Sequence, residues 1–327
     1  MIISGVALQD AAMDLLDRFR GCLLGLAAGD ALGMPVEGLS RREIKSVVGR
    51  VQDMMPAPVG HFHAGLRAGQ YTDDTLQTLI LAEGMIEAGG FSAARFCDGL
   101  RAWGEAWKLD TSCSRGAGLA TRSAVEAMMA GRDWQETGVV LPTCGAAMRV
   151  APVGLVYHRD LSLVASYAKL QAAPTHCSAA AAAGAVAVAV GVSLSLLSLN
   201  RIRVLEMAAE QAGKVWPPMR EHLQRVPDLL DMDEELAFSI TGTSPEAKDT
   251  VAAAFYCHLA HEPEEALIAG ASAGGDTDSI ASIAGALAGA ACGSGWIPNR
   301  WLEVLEGRQR LERTAGGLAD LSAMIPD

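Results

Sequence analysis

The sequence predicts an all-α fold built as a single compact domain over residues 1–327. Three observations carry this. Apolar residues recur at helical spacing along most of the chain, and period-2 runs of β-branched residues are nearly absent. The apolar half of the composition is also dominated by small residues, with 57 Ala and 35 Gly against only 5% aromatics. Small side chains let backbones approach closely, which suits packed helices better than a sheet rich in Val and Tyr.

The elements follow in order. Ala11 to Ala31 reads as a long apolar helix ending in the turn Gly33-Met34-Pro35. Val47 to Val51 is the best short strand candidate, and 52–70 is a Pro/Gly loop. After the polar start Thr72-Asp73-Asp74, residues Leu76, Leu79, Ile80, Glu83 and Ile86 keep helical spacing until Gly89-Gly90 stops them. Phe91 to Trp107, Gly116 to Ala130, Leu161 to Gln171, Ser178 to Leu199 and Ile202 to Lys214 read as further helices. Ala247 to Ala260, Pro263 to Ala273 and Ile280 to Ala291 complete the set, with loops at 138–146, 215–228 and 240–246. No repeat of 20–50 residues recurs, which removes solenoids.

Charge and cysteine usage narrow the function classes. The net charge is −12, from 26 Lys+Arg against 38 Asp+Glu, so no basic footprint for nucleic acid is expected. The N-terminal segment carries Asp10, Asp14 and Asp17 in place of a basic leader region. Seven scattered cysteines without a C-x-x-C pair fit neither a disulfide framework nor a zinc site, and a reducing cytoplasm is the expected location. Cys177 to Asn200 is uncharged and long enough to span a bilayer. Its Ala, Ser and Gly content points instead to a buried core helix, and no membrane association is expected.

Two acidic clusters stand out at helix starts far apart in the chain: Gly69-Gln70-Tyr71-Thr72-Asp73-Asp74-Thr75 and Gly274-Gly275-Asp276-Thr277-Asp278-Ser279. One Asp at a helix start is ordinarily a cap. Each cluster offers two carboxylates beside hydroxyls, however, and packed carboxylates cost stability unless a cation neutralises them. Together they would supply four carboxylates of the hard-oxygen type that Mg²⁺ or Mn²⁺ prefers, enough for two ions. A third acid, Glu37, lies between Pro35 and Gly38 in a turn; it is either an ordinary turn residue or a general base projected into a cleft. Gly145-Ala146-Ala147-Met148 could open a helix whose N–H groups cradle a phosphate, although a plain helix start is the ordinary reading of these residues. His176 follows Thr175 ahead of the Ala-rich helix, where capping or core packing is the ordinary role. His61 and His63, in the Pro/Gly loop, are expected to be solvent-exposed, and the six scattered tryptophans to anchor helix packing.

These stretches resemble the ADP-ribosylglycohydrolase family, which includes ADP-ribosylarginine hydrolases and the enzyme reversing ADP-ribosylation of dinitrogenase reductase. The matching segments run from Arg20 to Gly33, then Pro35-Val36-Glu37-Gly38, Thr72-Asp73-Asp74-Thr75, Gly145 to Arg149, Thr175-His176 and Gly274 to Ser279. They occur in family order across about residues 18–295. The resemblance implies a binuclear Mg²⁺ or Mn²⁺ site with Thr72, Asp73, Asp74, Asp276, Asp278 and Ser279 as ligands. It implies Glu37, Asp74 and Asp276 in catalysis, and Asp30, Cys144, Gly145, Ala146, Met148 and His176 around the substrate. One departure is plain: Thr143-Cys144-Gly145 stands where the family usually has Gly-Asn-Gly, which removes an amide donor and acceptor.

The expected reaction is metal-assisted hydrolysis of the bond joining ADP-ribose to a protein side chain or a small molecule, releasing ADP-ribose. Rival expectations are hydrolysis of a smaller N-riboside, ADP-ribose binding without catalysis, and a Cys–His hydrolase using Cys144 and His176. The sequence leaves the oligomeric state open, with a monomer favoured.

Overall fold

The structure, a computed structural model, describes residues 5–326, with side chains from Asp14 onward. Residues 1–4, part of the segment inspected for a leader, and Asp327 lie outside the described residues. Among the described residues, sixteen α-helices and several short 3-10 turns make up the regular structure, and the only ladder contacts are isolated bridges, Val139 with His176 and Thr143 with Glu246. The all-α prediction holds.

The predicted first helix is α1 (Gly5–Gly33). Next comes α2 (Arg41–Val47), close to where the sequence offered its best strand. Ser40 and Glu43 form a reciprocal capping box that starts a helix, and Gly49, at φ +83°, follows its end, so Val47–Val51 forms no strand. Helix α3 (Asp73–Ala88) starts at the Thr72 cap and stops at left-handed Gly89, as read from the sequence. α4 (Ala93–Leu109) is followed by α5 (Leu119–Met129), which starts later than predicted because Gly116 takes φ +90°, outside any helix. Then come α6 (Ala151–Val156), α7 (Leu161–Ala172), α8 (Ala179–Ser195) and α9 (Arg201–Gly213). The segment 215–228, predicted as loop, contains α10 (Pro217–Leu223): its two prolines sit in the first helical turn, where a missing N–H costs nothing. The chain continues with α11 (Glu234–Thr241), α12 (Ala247–Ala260), α13 (Pro263–Ala271), α14 (Thr277–Cys292), α15 (Asn299–Leu302) and α16 (Arg308–Met324).

Most of the uncharged stretch from Cys177 folds as α8 and is buried on nearly every side, as expected of a helix without a polar face, while Cys177 and the residues from Leu197 to Asn200 at its two ends are exposed. No single described helix is long and apolar enough to cross a membrane.

Helices α1 and α14 form the most extensively packed pair. They run antiparallel, and glycines spaced four apart explain how closely they approach. A Cβ built on Gly21, Gly25, Gly29 or Gly33 would fall 2.2, 2.5, 2.1 or 2.4 Å from the carbonyl oxygens of Gly293, Gly285, Ala281 or Thr277. The relation is mutual, since a Cβ on Gly285 or Gly289 would strike Gly25 or Gly21 at 2.1 and 2.0 Å. Each glycine costs about 1 kcal/mol of helix propensity relative to Ala. Backbone-to-backbone dispersion along the whole seam offsets it. At its end Thr277 Oγ1 donates to the Gly33 carbonyl at 2.9 Å, so the C-terminus of α1 and the N-terminus of α14 meet at one place.

Candidate functional site

At that meeting place the two acidic helix starts come together. Asp30, near the end of α1, turns its carboxylate onto the start of α3. It accepts from Thr72 N–H and Thr75 N–H, each at 2.9 Å, and from Thr75 Oγ1 at 2.6 Å. The N-terminus of α3 is thereby fixed beside that of α14. Ser279 Oγ on α14 then donates to Asp74 Oδ2 on α3 at 2.8 Å, joining the two acidic clusters across the chain.

The turn before α14 needs its glycines. Gly274 and Gly275 take φ of +83° and +72°, and a Cβ on Gly275 would lie 2.0 Å from the Thr243 carbonyl oxygen. Gly275 O accepts from Gly38 N–H at 2.7 Å, which brings Glu37 over the same space.

The result is a cavity of about 260 Å³. Glu37, Asp73, Asp74, Asp276, Asp278 and Ser279 line one part of it, and Thr143, Cys144, Gly145, Met148 and His176 another. Gly116, Gly118 and the first residues of α5 close a further side. The four Asp residues are each at most 6% exposed.

Burial on this scale works against charge. It raises the carboxyl pKa of Asp74 and Asp278 well above the ordinary Asp value, and the neighbouring acids add to it: Asp278 acts on Asp74, and Glu37 on Asp278. Glu37 is raised well above the usual Glu value by burial and then by Asp276. Asp73 rises to about 7, through burial and the charge of Asp30, partly relieved by a 2.6 Å hydrogen bond from Gln77 Nε2. Asp276 is also raised by burial, against hydrogen bonds from Thr250 and Cys144.

Fully buried Arg149 is the cation acting on Asp73, and burial lowers its pKa to about 9. It reaches Asp73 indirectly, donating to Gln77 Oε1 at 2.5 Å and also holding Gln171 and Thr175. Several carboxylates and a hydroxyl converging in one buried cavity, with their pKa values forced up, fit a divalent cation of the Mg²⁺ or Mn²⁺ class. Glu37, His63 and Asp278 each place one ligand atom within 4.8 Å of the others.

Some expected site residues fall elsewhere. Asp30 does not line the cavity; both its oxygens are spent on the α3 start. Thr72 is fully buried, caps α3 through Asp74 N–H and likewise stays out of the cavity wall. Ala146 is buried behind the wall, its carbonyl accepting from Gln171 Nε2 at 2.8 Å. Cys144, standing where an Asn was expected, donates its thiol to Asp276 Oδ2 at 3.1 Å. Thr143 needs no glycine-like freedom, since its φ is −77°.

The Cys–His reading finds no support. Burial and Asp276 push the Cys144 thiol well above its ordinary pKa, and burial lowers His176 to about 3, so neither thiolate nor imidazolium is at hand. His176 packs against Gly145, where a Cβ would lie 2.6 Å from its ring.

Residues that sequence reasoning missed sit close by. Thr250 Oγ1 on α12 donates to Asp276, an interaction for which the sequence holds no signal. His63, expected to be exposed, is only 4% exposed and contacts the Glu37 carboxylate. A histidine pair shortly ahead of the first acidic cluster is the sequence signal that could have found it.

Comparison with known proteins adds to this geometry. A family model described as ADP-ribosylglycohydrolase matches residues 11–325. ADP-ribosylhydrolase ARH3 of Bos taurus is 30% identical, covering 93% of this chain and 92% of its own length. ADP-ribosylarginine hydrolase Tri1 of Pseudomonas putida is 29% identical over 95% of this chain and 80% of its own. A solved structure titled ADP-ribosylglycohydrolase-related protein complex matches with TM-score 0.73 and 29% identity, over 95% of this chain and 99% of that one.

Proposed function

The chain belongs to the ADP-ribosylglycohydrolase family, and from that premise we propose that it is a hydrolase, dependent on two Mg²⁺ or Mn²⁺ ions, which cleaves the glycosidic bond between ADP-ribose and its acceptor and releases ADP-ribose. The observation that carries this reading is the Asp74–Ser279 hydrogen bond, which joins the two acidic helix starts beside the cavity. Asp73, Asp74, Asp276, Asp278 and Ser279 would hold the ions, with Thr72 backing them from behind the wall. When bound, such ions supply positive charge that neutralises the carboxylates and polarises hydroxyls and water.

The chain's own groups do the rest. Gly145 N–H lies in the first turn of a 3-10 helix, ahead of its first internal bond from Ala147 N–H to Cys144 O, and is suited to a pyrophosphate oxygen. His176 and Met148 shape the same wall. Glu37 reaches the cavity from the opposite strap with a carboxyl pKa raised well above the usual Glu value, which suits a base taking a proton from water near neutral pH. Asp74 and Asp276 are the further acids at the reacting centre.

The acceptor is a protein side chain or a small molecule carrying ADP-ribose; the arginine-linked form cleaved by the named relative Tri1 is one candidate. The described cysteines are all free, which supports a reducing cytoplasm as its location, and we take the monomer as the working unit.

One observation favours a second reading. The Cys144 thiol is committed to Asp276, so this wall lacks the amide that could read a nucleotide, and a smaller N-riboside would then be the substrate. The deciding experiment offers arginine-linked, serine-linked and nucleic-acid-linked ADP-ribose, and simple N-ribosides, with Mg²⁺, Mn²⁺ or EDTA, and identifies products by mass spectrometry. Metal-dependent release of ADP-ribose is the expected result. Cleavage of ribosides alone favours the second reading, and release of nothing under any metal rejects both.

A further inference from the structure

We propose that His61 and His63 are positioning residues that clamp Glu37 at both ends, holding its carboxylate at the edge of the acidic cavity. The inference rests on the hydrolase reading for its consequence in turnover, but its geometry stands independently. His61 Nε2 lies 2.7 Å from the Glu37 main-chain oxygen, and His63 Nε2 lies 2.5 Å from Glu37 Oε2.

The proton positions follow from the partners. His61 Nδ1 accepts the main-chain N–H of His63 at 3.2 Å, so in the neutral ring the proton sits on Nε2 and is donated to the Glu37 carbonyl. His63 faces a carboxylate oxygen, an acceptor, so its Nε2 carries the proton there.

The loop is shaped around this arrangement. Successive turns close it, with His61 N–H donating to Pro58 O, Ala64 N–H to His61 O and Leu66 N–H to His63 O. Phe62 stacks on His61 with ring centroids 4.4 Å apart. Gly116 makes room for His63: a Cβ there would fall 2.3 Å from His63 Cε1, and its φ of +90° favours glycine in any case. On the other side, Gly38 N–H donates to Gly275 O at 2.7 Å and Gly275 N–H to Leu39 O at 2.8 Å. Glu37 is therefore held between the turn that starts α14 and the histidine loop.

His63 does not line the acidic cavity, whereas Glu37 does. His63 lines a second cleft with Phe62, Gly65, Ser114 and Arg115, and Gly116 is shared between the two. Its hydrogen bond toward the acids is to Glu37, through which it would act on the reacting bond, while one of its ring nitrogens also lies within 4.8 Å of an Asp278 oxygen. Without the donor on Oε2, the Glu37 side chain would be free to turn away from Asp276, Asp73 and Asp30, whose charges oppose it.

The test begins with steady-state kinetics. His63→Ala is expected to lower kcat by about 10- to 100-fold, the range for losing a partner that orients a working ligand, with KM within about threefold. His63→Gln, whose Nε2 amide can donate from a similar place, is expected to recover most of that loss. Unchanged kcat in His63→Ala, or no rescue by Gln, overturns the clamp. Should the Ala variant fail to fold, imidazole ¹H–¹⁵N spectra of the intact protein decide. Both histidines are expected as Nε2–H tautomers, and Glu37→Gln is expected to shift the His63 signal while leaving His61 in place; an Nδ1–H tautomer at His63 overturns the proposal. Calorimetric titration with Mn²⁺ separates the clamp from a role as ligand: affinity should stay within about threefold in His63→Gln, and a larger loss overturns the clamp. A wild-type enzyme that releases no ADP-ribose would sink the hydrolase reading, leaving the tautomer result to stand or fall by itself.

Discussion

The seam between α1 and α14 and the cavity at its end are built from opposite materials. Along the seam, glycine meets backbone with no side chain between, and nothing there needs a partner in solution. In the cavity, buried carboxylates crowd one another and their pKa values are driven upward. The seam is governed by close packing, the cavity by buried and mutually opposed charge. The two regions should therefore respond to substitution with opposite signs.

The largest expected effect is at the seam. Gly29→Leu places a branched side chain where even a Cβ would lie 2.1 Å from the Ala281 carbonyl oxygen. The loss should exceed about 4 kcal/mol, seen as the absence of a cooperative urea transition. Gly316→Ala in α16, where nothing lies within 4 Å of the added carbon, is the matched control and should be neutral or slightly stabilising. A cooperative, near-wild-type Gly29→Leu protein would break the account of the seam.

Next, Asp278→Asn should lower kcat/KM by about 10³-fold or more, roughly 4 kcal/mol, while the metal-free protein keeps or gains thermal stability. The sign follows because the amide removes a buried charge that Glu37 and Asp276 oppose. A drop in metal-free Tm would show that the carboxylate is a structural partner instead.

The third effect is the pH dependence of the metal response. A carboxyl raised in the folded state gives stability that is fully present below its unfolded pKa, near 4, and lost as pH rises through the folded value. For Asp73 that value is about 7, with Asp74 and Asp278 shifted in the same direction. Stability of the metal-free protein should thus fall between pH 5 and 8, and the Tm gain on adding Mn²⁺ should grow over the same window. A gain that shrinks or stays flat, followed by scanning fluorimetry, would contradict a cavity built for cations.

The smallest effect is expected at Cys144. Cys144→Ala removes a thiol that donates to Asp276, a bond also supplied by Thr250, so turnover should stay within about fivefold. Abolished activity would revive a role for the thiol in the chemistry.

Legibility differed between helices and between sites for physical reasons. α3 was readable at both ends because Thr72 and Gly89 are local signals, a cap and a left-handed stop. α10 was hidden because Pro217-Pro218 reads as a break unless it falls in a first turn. The acidic clusters were conspicuous because carboxylates bunched at helix starts are costly without a use. His63 was missed since burial in a loop rich in Pro and Gly depends on Glu37 and Gly116, neither of which is a sequence neighbour. Asp30 was misplaced for the converse reason: an acid ending an apolar helix looks free until the N–H groups it satisfies are seen.

By itself the sequence determined the helical class, because periodicity and caps are local properties of the chain, and its motifs carried the resemblance to the family and singled out the acidic clusters. Only the tertiary structure decided which of those acids face the cavity and which hold it together. That division rests on where each oxygen finds a donor. Asp30 meets the N–H groups of α3, Cys144 meets Asp276, and Glu37 meets two histidines from a distant loop. No spacing along the chain records those meetings, since they depend on two glycine-lined helices closing to backbone contact.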